Sequence, residues 1–242
     1  MIYKKIEIQE TKIQLKTDVQ PIGLTDYISK IRIMLINYIR RNPIFLTSLE
    51  PLNIVEKPLI ANIMLKSAKI AGTGPMAAVA GSISQLSMNF LINKGSKYVI
   101  VDNGGDISLK TNKDTVVGLF AGSSPLSGKI GFNVKSNQTP MGICTSSGTV
   151  GHSISFGRAD SITVFADESS IADALATSIA NEAVGELDQD VVQRCLDFAD
   201  NKQEYMRGLI VVVGESAGTL GKVPKLIKTD KKVVLGDFFD LI

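Results

Sequence analysis

Residues 143–153, ICTSSGTVGHS, hold one of the chain's two cysteines, Cys144, and its only histidine, His152. Between them Thr145, Ser146 and Ser147 place three hydroxyls in a row, followed by Gly148. A Ser–His or Cys–His nucleophile system needs base and nucleophile in contact, with a third group orienting the base. Here His152 meets a serine only if the loop folds back on itself. If CTSSG ends a strand, residues 145–148 offer backbone N–H and hydroxyl donors, which suit a phosphate or carboxylate better than proton abstraction. Cys144 reads either as a reactive thiol or as a small buried hydrophobe. Nothing in the sequence shows a lowered thiol pKa, so burial is the default.

Two further stretches carry candidate chemistry. In VDNGGDISL, residues 101–109, a strand ends at Asp102-Asn103, turns through Gly104-Gly105 and restarts at Asp106. This is an ordinary two-residue hairpin turn, or a place where glycines let backbone amides approach a ligand beside Asp102 or Asp106. In ADALATSIAN, residues 172–181, Asp173 and Thr177 are four apart and share one face of a helix. A carboxylate beside a hydroxyl offers hard oxygen ligands suited to Mg²⁺. The alternative is an acid placed by the helix dipole, with Thr177 bonding back to its own turn.

The elements that must position these residues follow from periodicity. Residues 3–19 alternate as two strands with a turn near Glu10–Thr11, and residues 24–43 read as a helix with Thr25 as N-cap, Ile28, Ile31, Leu35 and Ile39 on one face, and Pro43 at its end. Residues 56–72 and 72–95 predict two more helices, the second opening on GTGP and so rich in Ala, Gly and Ser that another backbone or a ligand can come close. KYVIV, DISLK, TVVGLFAG, KIGFNVK, GICTS, HSISFG and SITVFAD then read as short strands. A serine-capped helix (SSIADALATSIANEAVG), a helix (DQDVVQRCLDFADN) and strands GLIVVVG and KKVVLG complete the pattern. Strand runs mixed with paired helices predict an α+β fold with antiparallel sheets packed against helices, in a single domain over residues 1–242.

Composition narrows the partners. With 26 basic against 24 acidic residues the formal charge is +2, so neither nucleic acid nor an anionic membrane is an expected partner, and the basic KLIKTDKK stretch reads as solvated surface. No window is apolar enough to span a membrane and the charged N-terminus does not read as a leader, so the expected compartment is the cytoplasm. One histidine and two distant cysteines leave no zinc site of the usual ligand count within one chain.

Taken in order, MAAVAG, NGGDI, TSSG followed by His152, and ADALAT resemble the FAD:protein FMN transferases of the ApbE family. Those enzymes carry a Gly-Ala-Ile-Ala-Lys-Gly helix start, a Gly-Gly-Asp turn, a Thr-Ser-Gly segment with a following histidine, and an Asp-Ala-Leu-Ala-Thr helix. That resemblance covers roughly residues 75–185. Nearly the whole chain is similar to a shorter relative, the UPF0280 family, in which CTSSGTVGHS, GRAD and a stretch like RNPIFLTSLEPL recur.

The resemblance implies an ApbE-like fold related to the T-fold. It implies Mg²⁺ held by Asp173 and Thr177 with a main-chain carbonyl from Ala78–Ala80, and FAD or FMN near Gly104, Gly105 and Asp106. It implies Thr145, Ser147, Gly148 and His152 at the site; Ser146 joins Thr145, Ser147 and Gly148 as a candidate ligand contact, and Cys144 joins His152 as a catalytic candidate. Two departures stand out: Ala80 replaces the transferases' lysine, and Cys144 precedes the Thr-Ser-Ser-Gly run. By the same resemblance, relatives in anaerobes are linked to homocysteine formation from aspartate semialdehyde and sulfide, which would make Cys144 a sulfur carrier with protein partners in a sulfur-transfer pathway. The other expectations are a flavin transferase or flavin-nucleotide hydrolase, and a non-catalytic ligand-binding or assembly protein; a homodimer is compatible with each.

Overall fold

The computed structural model describes residues 1–147 and 157–229. Gly148, His152, the expected strand KKVVLG and all but the last residue of HSISFG lie outside them. The chain opens with β1 (Ile2–Ile8) and β2 (Thr11–Thr17), joined by a turn in which Gln9 takes a positive φ of 52°. Alternation puts Ile6, Ile13 and Leu15 inside and Lys5, Glu7 and Lys12 outside.

Helix α1 (Leu24–Arg41) buries Ile28, Ile31 and Leu35, as its 3.6-residue pattern requires. Its N-cap is Gly23, at φ 78°, rather than Thr25, and no side chain caps it. After the single turn α2 (Ile44–Thr47) comes α3 (Leu59–Ala71), which starts behind Pro58 and stops at Gly72 in the left-handed region. A 3₁₀ turn, Pro75–Ala78, leads into α4 (Val79–Asn93), whose residues from Gly81 to Met88 are all buried.

Strands β3 (Val99–Asn103), β4 (Asp106–Lys110), β5 (Thr115–Gly118), β6 (Ile130–Val134), β7 (Met141–Ser146) and β8 (Ser161–Ala166) follow. Then come α5 (Ser169–Asn181), α6 (Asp188–Asp200), β9 (Gly208–Val213), β10 (Ser216–Gly221) and β11 (Lys225–Lys228). The expected serine cap of α5 is corrected: Glu168 is the N-cap residue, and Ser169 lies inside the helix with its hydroxyl committed elsewhere. The KLIK stretch keeps both lysines exposed while pairing with β6 as β11.

Eight strands pair antiparallel in the order β1-β2-β3-β4-β7-β8-β9-β10, and a second sheet runs β11-β6-β5. The helices cover one face of the large sheet, where Val101, Cys144 and Val164 meet α4 and α5 and the β9 strand that carries Val211 meets α6. The small sheet covers only part of the other face, with Leu109, Ile143, Phe165 and Ile210 packed against Phe132 and Val134. Phe132 and Phe165 meet edge to face at 4.9 Å between ring centroids. Full burial of a ring such as Phe165 stabilises by about 1.5–3 kcal/mol. The outer face of β1 and β2 carries charge instead, so the small sheet leaves an open cleft at that end.

Candidate functional site

The β3–β4 hairpin is the pivot of the site. Asn103 pairs with Asp106 across the turn, and Gly104 and Gly105 bridge them at φ 71° and 102°. Both angles are left-handed, where a Cβ costs energy, which is why Asn-Gly-Gly-Asp closes here. Asp102 fixes the turn by accepting the Gly105 N–H at 2.8 Å. The two-residue pleat then splits the acids. Asp102 stays with Ile107 on the outer face, and Asp106 goes with Ser108 to the helix face.

On the helix face, Asp106 stands opposite Cys144 in register, and Asp173 approaches from α5. The Gly81 N–H donates to Asp173 Oδ2 at 2.8 Å. Burial nevertheless pushes the Asp173 carboxyl up to about 7, against the pull of the Gly81 and Ala80 N–H groups. Asp106 is pushed well above the carboxylate range, first by burial and then by the charges of Asp173 and Asp102. Thr177 is one turn beyond Asp173 on the same helix face, and both are half-buried. Asn103 Nδ2 donates to the Ala80 carbonyl at 3.2 Å, tying the turn to the start of α4.

What holds Asp173 in place is a contact between backbones. A Cβ on Gly81 would lie 2.4 Å from the Ser169 carbonyl oxygen, and one on Gly142 would lie 2.3 Å from the Ser169 Cα. Ser169 is therefore wedged between α4 and β7, with room for hydrogen only. Its hydroxyl donates to the Gly81 carbonyl at 2.8 Å, Ser84 donates to the same oxygen at 3.0 Å, and Ser108 hydrogen-bonds both hydroxyls. The Gly81 peptide is thus held at its C=O by two serines while its N–H meets Asp173. Alongside, Gln85 accepts the Ser170 N–H at 3.1 Å and donates to Glu168 at 3.0 Å, and Lys66 pairs with Glu168 at 2.7 Å.

The small residues of α4 predict the close approach that Gly81 makes to Ser169. Gly142, Ser84, Ser108 and Ser169 carry no such signal in the sequence beyond small size in β-branched or alanine-rich surroundings.

Of the two readings of Cys144, the structure takes the buried one. Cys144 is 0% exposed, its thiol donates to the Ser169 carbonyl at 3.2 Å, and burial with the charges of Asp106 and Asp173 pushes its pKa well above the usual thiol value. It is not poised as a thiolate. The three hydroxyls after it do not act as one row, because β7 alternates. Thr145 and Ser147 line the outer cleft, Thr145 sharing a 2.9 Å hydrogen bond with Thr163, whereas Ser146 is buried without a hydrogen-bond partner among the described residues.

The cleft encloses about 550 Å³. Its walls include Lys5 and Lys12 from the β1–β2 hairpin, Asp102, Gly104 and Gly105 from the turn, Ile107 and Ile143 on the floor, and Phe120 and Phe132 beneath the small sheet. Asp102 lines it at the hairpin, and the charge of Asp102 acts on Asp106. Among the described residues no three His, Cys, Asp or Glu side chains gather as a metal cage, and no helix is long and apolar enough to cross a membrane.

A family model described as "AbpE bacteria" matches residues 5–213. A UPF0280 protein of Methanothermobacter thermautotrophicus is 56% identical over 237 residues, covering 98% of this chain and 92% of that protein. The chain belongs to the UPF0280 family. A second UPF0280 protein, from Methanococcus aeolicus, is 50% identical over 250 residues and matches end to end. Among solved structures, the apo flavinyl transferase ApbE of Pseudomonas stutzeri superposes with a TM-score of 0.60 at 13% identity, over 93% of this chain and 94% of that one. The ApbE protein of Thermotoga maritima gives 0.53 at 14% identity, over 90% and 96%. UPF0280 therefore has the ApbE fold, with mixed helices and antiparallel sheets as the sequence pattern implied.

Proposed function

We propose that this UPF0280 chain, folded as one domain, binds FMN or FAD together with Mg²⁺ at the β3–β4 hairpin and acts on the nucleotide as a transferase or hydrolase. The observation that supports this reading is the approach of Asp173 on α5 to Asp106 on β4, two half-buried carboxylates whose proton affinity burial raises, that of Asp106 further by the charge of Asp173. Mg²⁺ keeps several waters and needs only one or two carboxylates, so a full protein cage is not required. Asp106, Asp173 and Thr177 would hold it, with the Ala78–Ala80 carbonyls nearby. When bound, the cation supplies charge neutralisation at phosphate oxygens.

The chain's own groups do the rest. Gly81 and its serine clamp orient Asp173, the Gly104–Gly105 backbone admits a close ligand, and the Thr145 hydroxyl lines the entry. The likeness to flavinyl transferases supports the choice of nucleotide. A role in homocysteine formation would have to place the sulfur on a partner protein, since Cys144 is buried and protonated. Ala80, with no cation at the start of α4, favours a second reading in which the nucleotide is held without turnover.

Thermal melting with Mg²⁺ and FAD, FMN or ATP tests binding, because a ligand at a hundredfold its Kd adds about 2.7 kcal/mol. Chromatography of the same mixtures for AMP released from FAD separates turnover from holding. A melting shift that needs both Mg²⁺ and Asp173 supports the proposal. No shift with any flavin removes it.

A further inference from the structure

The carboxylate end of the site has no cation from α4, since MAAVAG is uncharged. The cleft does have cations, and they come from another element. Lys5 and Lys12, both on the β1–β2 hairpin, are the two basic residues lining it.

Strand register gives their placement a direction. Lys5 stands opposite Gln14, Gln14 opposite Asp102, Asp102 opposite Ile107, and Ile107 opposite Ile143. One row across the outer face of the large sheet thus runs from the Lys5 cation through Gln14 and the Asp102 carboxyl, which holds the turn, to aliphatic side chains. Lys12 lies on the same face as Lys5, directly across the hairpin from Glu7. At the apolar end the small sheet forms the wall, and there Phe120 keeps 43% of its surface exposed. A large aromatic left open inside a concavity is a stacking surface for a flat apolar group. The volume, about 550 Å³, is that of a site for a ligand of nucleotide size.

We infer that this cleft takes a flat aromatic ring against Phe120 and an attached phosphate at the β1–β2 hairpin, with Lys12 and Lys5 as the residues that select phosphorylated over unphosphorylated ligands. The inference rests on the nucleotide reading above and adds to it the source of the missing positive charge. Both lysines are exposed on the strand face opposite Ile6, Ile13 and Leu15, so their removal leaves the buried side of the hairpin intact.

The test compares riboflavin, FMN, FAD, AMP and inorganic pyrophosphate on the full chain, in Mg²⁺, by calorimetric titration. The variants are Lys12→Ala, Lys5→Ala, Lys12→Arg and Phe120→Ala, each first checked for an unchanged melting profile without ligand. Loss of a charge-assisted contact should weaken FMN and FAD by roughly tenfold or more. Riboflavin should be unchanged in the lysine variants, and Lys12→Arg should restore most of the FMN affinity. Phe120→Ala should weaken riboflavin and FMN by the same factor. FMN affinity unmoved by both lysine substitutions overturns the assignment while leaving the flavin reading standing. AMP or pyrophosphate binding that needs Lys12, with no binding of any flavin, keeps the assignment and removes the flavin reading. No binding of any of the five overturns both.

Discussion

The helix-facing side of the β3–β4 hairpin and its outer side are built from opposite materials. On the helix side Gly81, Gly142 and Ser169 meet backbone to backbone, and a serine cluster holds one peptide in place. On the outer side lysines, an exposed phenylalanine and an open glycine turn line a cleft. The first arrangement fixes Asp173 so tightly that added volume has nowhere to go. The second sets its side chains along an open cleft. The proposed cation seat and the proposed ligand-selecting cleft thus lie on separate faces of one sheet, and each should fail in its own way under mutation.

The sharpest contrast is between glycines. Gly81→Ala and Gly142→Ala each force a Cβ into the backbone of Ser169, at 2.4 and 2.3 Å, so the collision cannot be relieved by a rotamer change. Each is expected to destabilise by about 3 kcal/mol in denaturant unfolding. Gly104→Ala meets no atom within 4 Å and loses only the left-handed turn preference, about 1 kcal/mol. Equal losses at the three positions would erase the distinction between the two sides.

Acidity should separate them next. Asp173 titrates at about 7 when folded and at 3.8 in the unfolded chain, so the native state holds a proton that the unfolded state has given up. Stability without metal is therefore expected to fall as pH rises from about 4 to 7 and to level off above. Mg²⁺ should offset that loss, raising the melting temperature more at pH 8 than at pH 5. Asp173→Asn should flatten the pH dependence and remove the Mg²⁺ effect together. A melting profile with the opposite slope would contradict the buried pair.

The smallest effect is an expected silence. Cys144 should resist iodoacetamide in the native protein at pH 8 and react once the chain is unfolded, as read by mass spectrometry. Rapid native labelling would return Cys144 to the reactive residues.

How much of this was legible beforehand depends on range. The helices α1, α3 and α5 and the hairpin turn carry their signals locally, in apolar spacing, Gly72 and Asn-Gly. Strand β10, SAGTLG, escaped because half of its residues are small and its pairing with β9 supplies the order. The candidate site was legible as a set of motifs but not as a geometry. That Asp102 and Asp106 part to opposite faces follows from a pleat, and that Ser169 wedges between Gly81 and Gly142 follows from three elements distant in sequence meeting. The burial of Cys144 has the same origin, since α5 closes over β7 only in the folded chain.

The central claim is that Asp106 and Asp173 form the seat of a divalent cation. It is tested most directly by calorimetric titration of Mg²⁺ into the metal-free protein at pH 8, with and without FMN, for the native chain and for Asp173→Asn. The account requires one Mg²⁺ per native chain, bound more tightly with FMN present, and none in Asp173→Asn at unchanged fold. Equal Mg²⁺ binding by the two proteins would contradict it.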